Sequence, residues 1–151
     1  MGKRLVLLFS IMLITVFPGF LQPLVAEERM EKPFSYIGMK LADVFNSFGA
    51  PAAVYASRGD EHWQDDVVFI YDEGDFFIYH DRVWQVSVKS VFGVNIGDVK
   101  AVALLVLGDT AKEEGGYILY NIKGGGWPVT IRINITAGKV SAIFVYRPDF
   151  Q

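Results

Sequence analysis

Apolar residues recur along the chain with two different periods. Leu41, Val44, Phe45 and Phe48 fall at i, i+3, i+4 and i+7, the spacing of one stripe on a helix. Asp43 sits in the first turn, where a carboxylate favours unpaired backbone N–H groups and the positive end of the helix dipole. Gly49 follows the last apolar residue and Pro51 forbids continuation, so residues 38–51 are predicted to hold a short helix with both ends marked. Residues 93–108 open in the same way: Gly38 matches Gly93, Asp43 matches Asp98, Val44 matches Val99 and Gly49 matches Gly108. Here Asn95 reads as the N-cap, with Asp98 three residues later. Ile96, Val99, Val102, Ala103 and Val106 form the stripe, and Leu104, Leu105 and Leu107 widen it, so this helix is expected to be the more deeply buried. Between its Asp and its Gly it is four residues longer than the first, about one extra turn, which would keep the same face inward.

Elsewhere the period is two. Val129, Ile131, Ile133 and Ile135 alternate with Thr130, Arg132, Asn134 and Thr136, as in a strand with one buried face. Strands are also predicted at residues 52–57, 67–71, 76–80, 83–91, 117–122 and 140–146, separated by turn sequences at 72–75, 80–82, 123–126 and 137–139. Short loops imply antiparallel neighbours. The expected fold is α+β: tandem helix–βββ repeats forming one antiparallel sheet of about six strands, with the helices packed on one face. Residues 34–151 would be a single domain of two repeats, about 34–91 and 92–147, after a flexible leader at 27–33. Phe45 and Val99 are expected to be buried under the sheet.

The same alternation sorts the strand residues by face. Phe76, Ile78, Val86, Val88, Ile143 and Val145 point toward the helices with the apolar set of residues 129–135. Phe77, Tyr79, Phe144 and Tyr146 then share the free face with Arg132, Asn134, Gln85 and Ser87. Two readings of that face follow. Cross-strand aromatic pairs can simply stabilise a solvated surface. Aromatic patches rimmed by polar groups also mark interaction sites.

Residues 1–26 carry the marks of a secretory signal: Lys3 and Arg4, an apolar run over 5–17, a break at Pro18 and Gly19, and Ala26 before the cleavage point. The rival is an uncleaved anchor running to Val25, interrupted by Pro18, Gly19 and Pro23. The chain has no cysteine, so an exported form holds together without disulfides. Loss of Lys3 and Arg4 moves the formal net charge from −3 to −5, which argues against nucleic acid or anionic lipid as partner. The expected compartment is periplasmic or secreted, with membrane contact only through the N-terminal segment if it stays uncleaved.

Gly38, Met39, Asp43, Val44, Gly49 and Pro51, echoed by Gly93, Val94, Asp98, Val99 and Gly108, resemble the BamE (SmpA/OmlA) domain. That family implies a small periplasmic α+β module of the outer-membrane protein assembly machinery. Two such units sharing a sheet also resemble the β-lactamase inhibitor protein family, BLIP, whose aromatic-rich concave sheet face binds its target enzyme. This chain departs from BamE in lacking the lipoprotein cysteine, in having two such units, and in placing Lys40 where a capping Ser or Thr is usual.

Other motifs carry little. Arg58-Gly59-Asp60 is ordinary turn chemistry. His62, Asp65 and Asp66, with His80 as the second imidazole, lack the spacing of a structural metal site. Gly124, Gly125 and Gly126 are followed by no phosphate-loop Lys-Ser/Thr pair and read as a hairpin turn. Asp72, Glu73 and Asp75 share one solvated turn, which does not supply the unlike environments of an acid–base pair. No cysteine nucleophile and no serine elbow exist. The expectation is therefore a non-catalytic exported module, without metal or cofactor. It would bind a protein through Phe77, Tyr79, Arg132, Asn134, Phe144 and Tyr146, with Trp63 on the 58–66 loop as a secondary candidate. The alternatives are a small-ligand-binding periplasmic protein and a membrane-anchored structural protein of the envelope.

Overall fold

The computed structural model of the protein describes residues 32–58, 66–122 and 127–150. Two helices, α1 (Lys32–Tyr36) and α2 (Leu41–Phe48), precede strands β1 (Ala53–Ser57), β2 (Asp66–Tyr71), β3 (Gly74–Tyr79) and β4 (Arg82–Val88). A small hairpin, β5 (Ser90–Val91) and β6 (Val94–Asn95), leads to α3 (Lys100–Leu107). Then come β7 (Lys112–Glu114), β8 (Tyr117–Ile122), β9 (Val129–Thr136) and β10 (Lys139–Tyr146). Eight strands form one antiparallel sheet in the order β1-β2-β3-β4-β10-β9-β8-β7. The last strands of the two halves meet in the middle, Val88 opposite Ile143 and Gln85 opposite Tyr146. The proposed signal segment, 1–26, and most of the leader lie outside the described residues.

This overturns the α+β expectation of helix–βββ units on about six strands. The protein is mostly β, at 51% strand, and the helices are a minor part. Each half of the sheet has four strands. β1 pairs with β2 over five residues and is a full member of the sheet. β7 reads Lys-Glu-Glu, has no apolar alternation to announce it, and is held by pairing with β8. Each helix buries only one or two residues: Phe34 and Tyr36 in α1, Val44 in α2, and Ala103 and Leu107 in α3.

Backbone hydrogen bonds also correct the alignment of the halves. Gly38 N–H donates to Val83 O (2.8 Å), Leu41 N–H to Asp81 O (3.1 Å) and Val83 N–H to Met39 O (2.9 Å). In the second half Gly97 N–H donates to Val140 O (2.8 Å), Lys100 N–H to Gly138 O (2.9 Å) and Val140 N–H to Asp98 O (2.8 Å). The counterpart of Gly38 is thus Gly97, not Gly93. Both helices are eight residues long, and no extra turn exists. The four additional residues belong to the β5–β6 hairpin, whose turn holds Phe92 at φ 51° and Gly93 at φ 81°. Asn95 is not the N-cap of α3; Val99 is, without a side-chain bond. Asp98 instead accepts from the Asn95 backbone at 2.8 Å, fixing the turn before the helix.

The core runs continuously across both halves. Tyr36, Phe48, Tyr71 and Phe76 pack ring on ring in the first, with centroids 5.2–5.6 Å apart. Ile118, Ile131, Ile133 and Ile143 fill the second, each almost fully buried. The expected burial of Phe45 and Val99 fails. Phe45 is 39% exposed, because its ring stands edge-on against Phe69 (5.6 Å) while Val44 takes the central position. Val99 is 51% exposed, because it precedes the helix and bridges to Lys139 in extended conformation. Nor is α3 deeply buried: Leu105 and Val106 both face outward.

Both central strands contain an irregularity at the same place. The register shifts between Val83 and Gln85 against β3, and between Val140 and Ala142 against β9. A bulge adds one residue to one strand. Val83 and Val86, three apart, can therefore both be buried, as can Val140 and Ile143.

The outer sheet face as candidate functional site

The strand residues that do not join the helices in the core line the opposite face in three cross-strand rows. Phe77, Gln85, Tyr146, Thr130 and Asn121 form the first, on β3, β4, β10, β9 and β8. Asp75, Ser87, Phe144, Arg132, Leu119 and Lys112 form the second. Ala142, Asn134, Tyr117 and Glu114 form the third. Neighbouring members of a row stand one strand spacing apart, about 4.8 Å.

Five of the expected residues therefore come together. Phe144 lies directly opposite Arg132, whose guanidinium sits 4.9 Å from the ring centroid, within cation–π range. Asn134 is the next same-face residue on β9, and Tyr146 the next on β10. Phe77 shares the row of Tyr146 and places its ring edge-on to Trp84 at 6.4 Å. Tyr79 stands apart. It pairs with Arg82 beyond the β4 bulge and stacks on His80 at 4.0 Å, at the end of the hairpin. Trp63, with His62 and Asp65, lies outside the described residues.

Sequence reasoning set Thr130 on the polar side of its strand without naming it as a candidate, and it missed Trp84, Tyr117 and Glu114. The bulge brings the Trp84 ring to this face, where its indole N–H donates to Asp66 Oδ1 at 2.8 Å. The signal was the three-residue step from Val83 to Val86, which breaks strict alternation. Thr130 is almost fully buried, and its hydroxyl donates to Asn121 Oδ1 at 2.7 Å. The Tyr117 hydroxyl donates to Glu114 Oε2 at 3.3 Å.

The electrostatics of the face centre on Arg132. Among the described residues no carboxylate pairs with it, and its buried Nε has no hydrogen-bond partner. Leaving a buried donor unsatisfied costs about 1–3 kcal/mol, more when the group is charged. Burial pushes the Tyr146 hydroxyl above the ordinary phenol range; Arg132 opposes that shift, while Tyr117 and Glu114 reinforce it. Burial likewise raises the Asp75 carboxyl, against the opposing charge of Lys89.

A cleft of about 160 Å³ opens beside the β7–β8 hairpin, lined by Lys100, Glu113, Gly116, Tyr117, Ile118 and Ile135. That is below the roughly 300–1,000 Å³ of organic-ligand pockets. Among the described residues no group of three His, Cys, Asp or Glu side chains converges, and no helix is long and apolar enough to cross a membrane.

Neither a protein-family model nor a curated protein matches the sequence. Solved structures similar in part include two bacterial proteins. One is a cysteine-rich secretory protein from Staphylococcus aureus subsp. aureus Mu50, at 12% identity over 76% of this chain and 46% of that one, with a TM-score of 0.48. The other is an extracellular protein containing an SCP domain from Bacillus anthracis str. Ames, at 9% identity over 82% and 48%, with a TM-score of 0.46. Neither is a BamE or BLIP protein, and this chain spans about half the length of each.

Proposed function

We propose that the chain is an exported, non-catalytic module that binds another protein through the outer sheet face. The observation that carries this reading is Arg132. It is a cation set in an aromatic surface, stacked on Phe144, with no carboxylate partner among the described residues and one buried donor unmet. A partner that brings an acceptor to the exposed part of the guanidinium, and apolar groups to Phe77, Phe144 and Tyr146, would complement the whole patch. Aromatic and arginine side chains are the usual anchors of such contacts. Asn134, Asn121 and Gln85 would orient the partner from the polar positions between the rings. The export part of the proposal rests on Lys3, Arg4 and the apolar run that follows them.

The test uses the chain as bait against an extract of its own cell envelope and culture medium, comparing wild type with Arg132→Ala and Tyr146→Ala. Each substitution is expected to weaken capture by about 1–3 kcal/mol, the range of interface anchors. Circular dichroism should show both variants folded. Equal capture of the same proteins by folded variants would remove the outer face from consideration.

A further inference from the structure

The two edges of the sheet are built differently. β7, at one edge, is three residues long, Lys-Glu-Glu, and exposed at every position, with Glu113 paired to Lys100. Short charged edges resist pairing with another chain, because a docking strand would have to bury the charges. β1, at the other edge, is five residues long and reads Ala-Val-Tyr-Ala-Ser, with no charge and no proline. It pairs with β2 alone among the described strands. Alternate backbone N–H and C=O groups of an edge strand point away from its neighbour, so β1 offers an open ladder.

Exposed apolar side chains gather at the same edge. Val54 (51%) and Tyr55 (47%) are on β1, Val67 (44%) on β2 and Phe45 (39%) on α2. The register sets Val54 beside Phe69 and Ala56 beside Val67 on the core side of the sheet. The Phe45 ring stands edge-on to the same Phe69. Phe45, Val54 and Val67 therefore make one apolar flank along an edge that no other described strand covers.

We propose that this edge pairs, antiparallel, with the β1 edge of a second copy of the chain. Charge favours that occupant: β1 against β1 sets no like charges opposite each other, whereas β7 against β7 would set Glu113 against itself. Symmetry favours it too. A two-fold axis normal to the sheet keeps each face on its own side, so the flank of one copy meets the flank of the other, apolar on apolar. Pairing centred on Tyr55 places Val54 opposite Ala56 and Ala53 opposite Ser57, with no large side chains opposed on the core side. Five ladder residues and a narrow flank fall short of the roughly 800 Å² per partner of a stable interface, so the dimer is weak and follows concentration.

Analytical ultracentrifugation of the chain purified from an exporting host tests this between about 10 μM and 1 mM, the range of weak complexes. The mass should rise from monomer toward dimer. Amide exchange at residues 54–56 should slow over the same range, and exchange in β7 should not change. Val54→Lys and Tyr55→Lys alter half-exposed positions, so both should keep the wild-type circular dichroism and shift association at least tenfold upward in concentration. A monomer throughout the range overturns the proposal, as does a dimer unaffected by either lysine. A monomer whose β1 is protected only when a different protein is added assigns the edge to that protein instead.

Discussion

Arg147 is, among the described residues, the one charged side chain in the buried set. Its cost is offset by two hydrogen bonds to Asp149, at 3.0 and 2.9 Å, and by the face of Trp127, 3.9 Å from the guanidinium carbon. Trp127 in turn packs on Gly38, where a Cβ would come within 2.9 Å of the indole nitrogen. The C-terminal segment thus clasps the entry to α2. The hydrogen bond from Arg147, the largest influence, holds the Asp149 carboxyl below its ordinary value. A carboxyl with a lowered folded pKa adds stability that is present above its unfolded pKa, about 3.9, and lost as pH falls through the folded value. Asp149→Asn should therefore melt below wild type at pH 7, and the gap should close in acid below the ordinary aspartate range. A gap independent of pH would mean that the pair contributes nothing through charge. Burial sets a second contrast. Phe76 is fully buried at the centre of the aromatic cluster, and Phe76→Ala should cost about 3–5 kcal/mol. Phe45→Ala removes a half-exposed ring and should cost nearer 1 kcal/mol, the ordinary cost of a single change. Denaturant melts of the two variants measure both, and equal losses would contradict the placement of α2.

Among the elements, strands with one wet and one dry face are readable from their sequences. The alternation in β9 is unbroken, and Ile131 and Ile133 are buried as it implies. What escapes is an element whose pattern is silent or doubled. β7 has only charged residues and owes its place to β8. The residues of α1, Lys-Pro-Phe-Ser-Tyr, are too few to show a period, and the helix is fixed by burial of Phe34 and Tyr36. Gly93 and Gly97 both adopt positive φ, so either could stand before α3, and only the hydrogen bonds to Gly138 and Val140 choose Gly97. The candidate face was readable as a set of residues. Its centre was not, because the missing partner of Arg132 and the bulge beside Trp84 belong to cross-strand geometry. Native-state amide exchange follows the same hierarchy, slowest where pairing is doubly flanked and buried. In dilute solution β4 and β10 should exchange last, and β1 and β7 first. Fast exchange in β10 would contradict its central place.

For the molecule as a whole, the two halves share one core. Phe34 of the first lies 5.4 Å from Phe92, which itself meets Tyr120 at 6.1 Å, and the hydrophobic cluster includes residues from both halves. Unfolding should be a single transition. Residues 34–91 and 92–147 expressed separately should each fail to melt cooperatively, since each exposes the strand that pairs at the centre. A cooperative melt from either fragment would show that half to be self-sufficient. The central β4–β10 pairing has a consequence in time. β10 comes last among the described strands, yet it occupies the keystone position, with Val88 of the first half waiting for Ile143 of the second. Such distant pairings come late and slow folding. Nine of the ten described strands precede β10, and the slot between the half-sheets stays vacant until it forms. A protease that cuts just before Lys139 would remove the keystone rather than a margin, and the arch would fall into two.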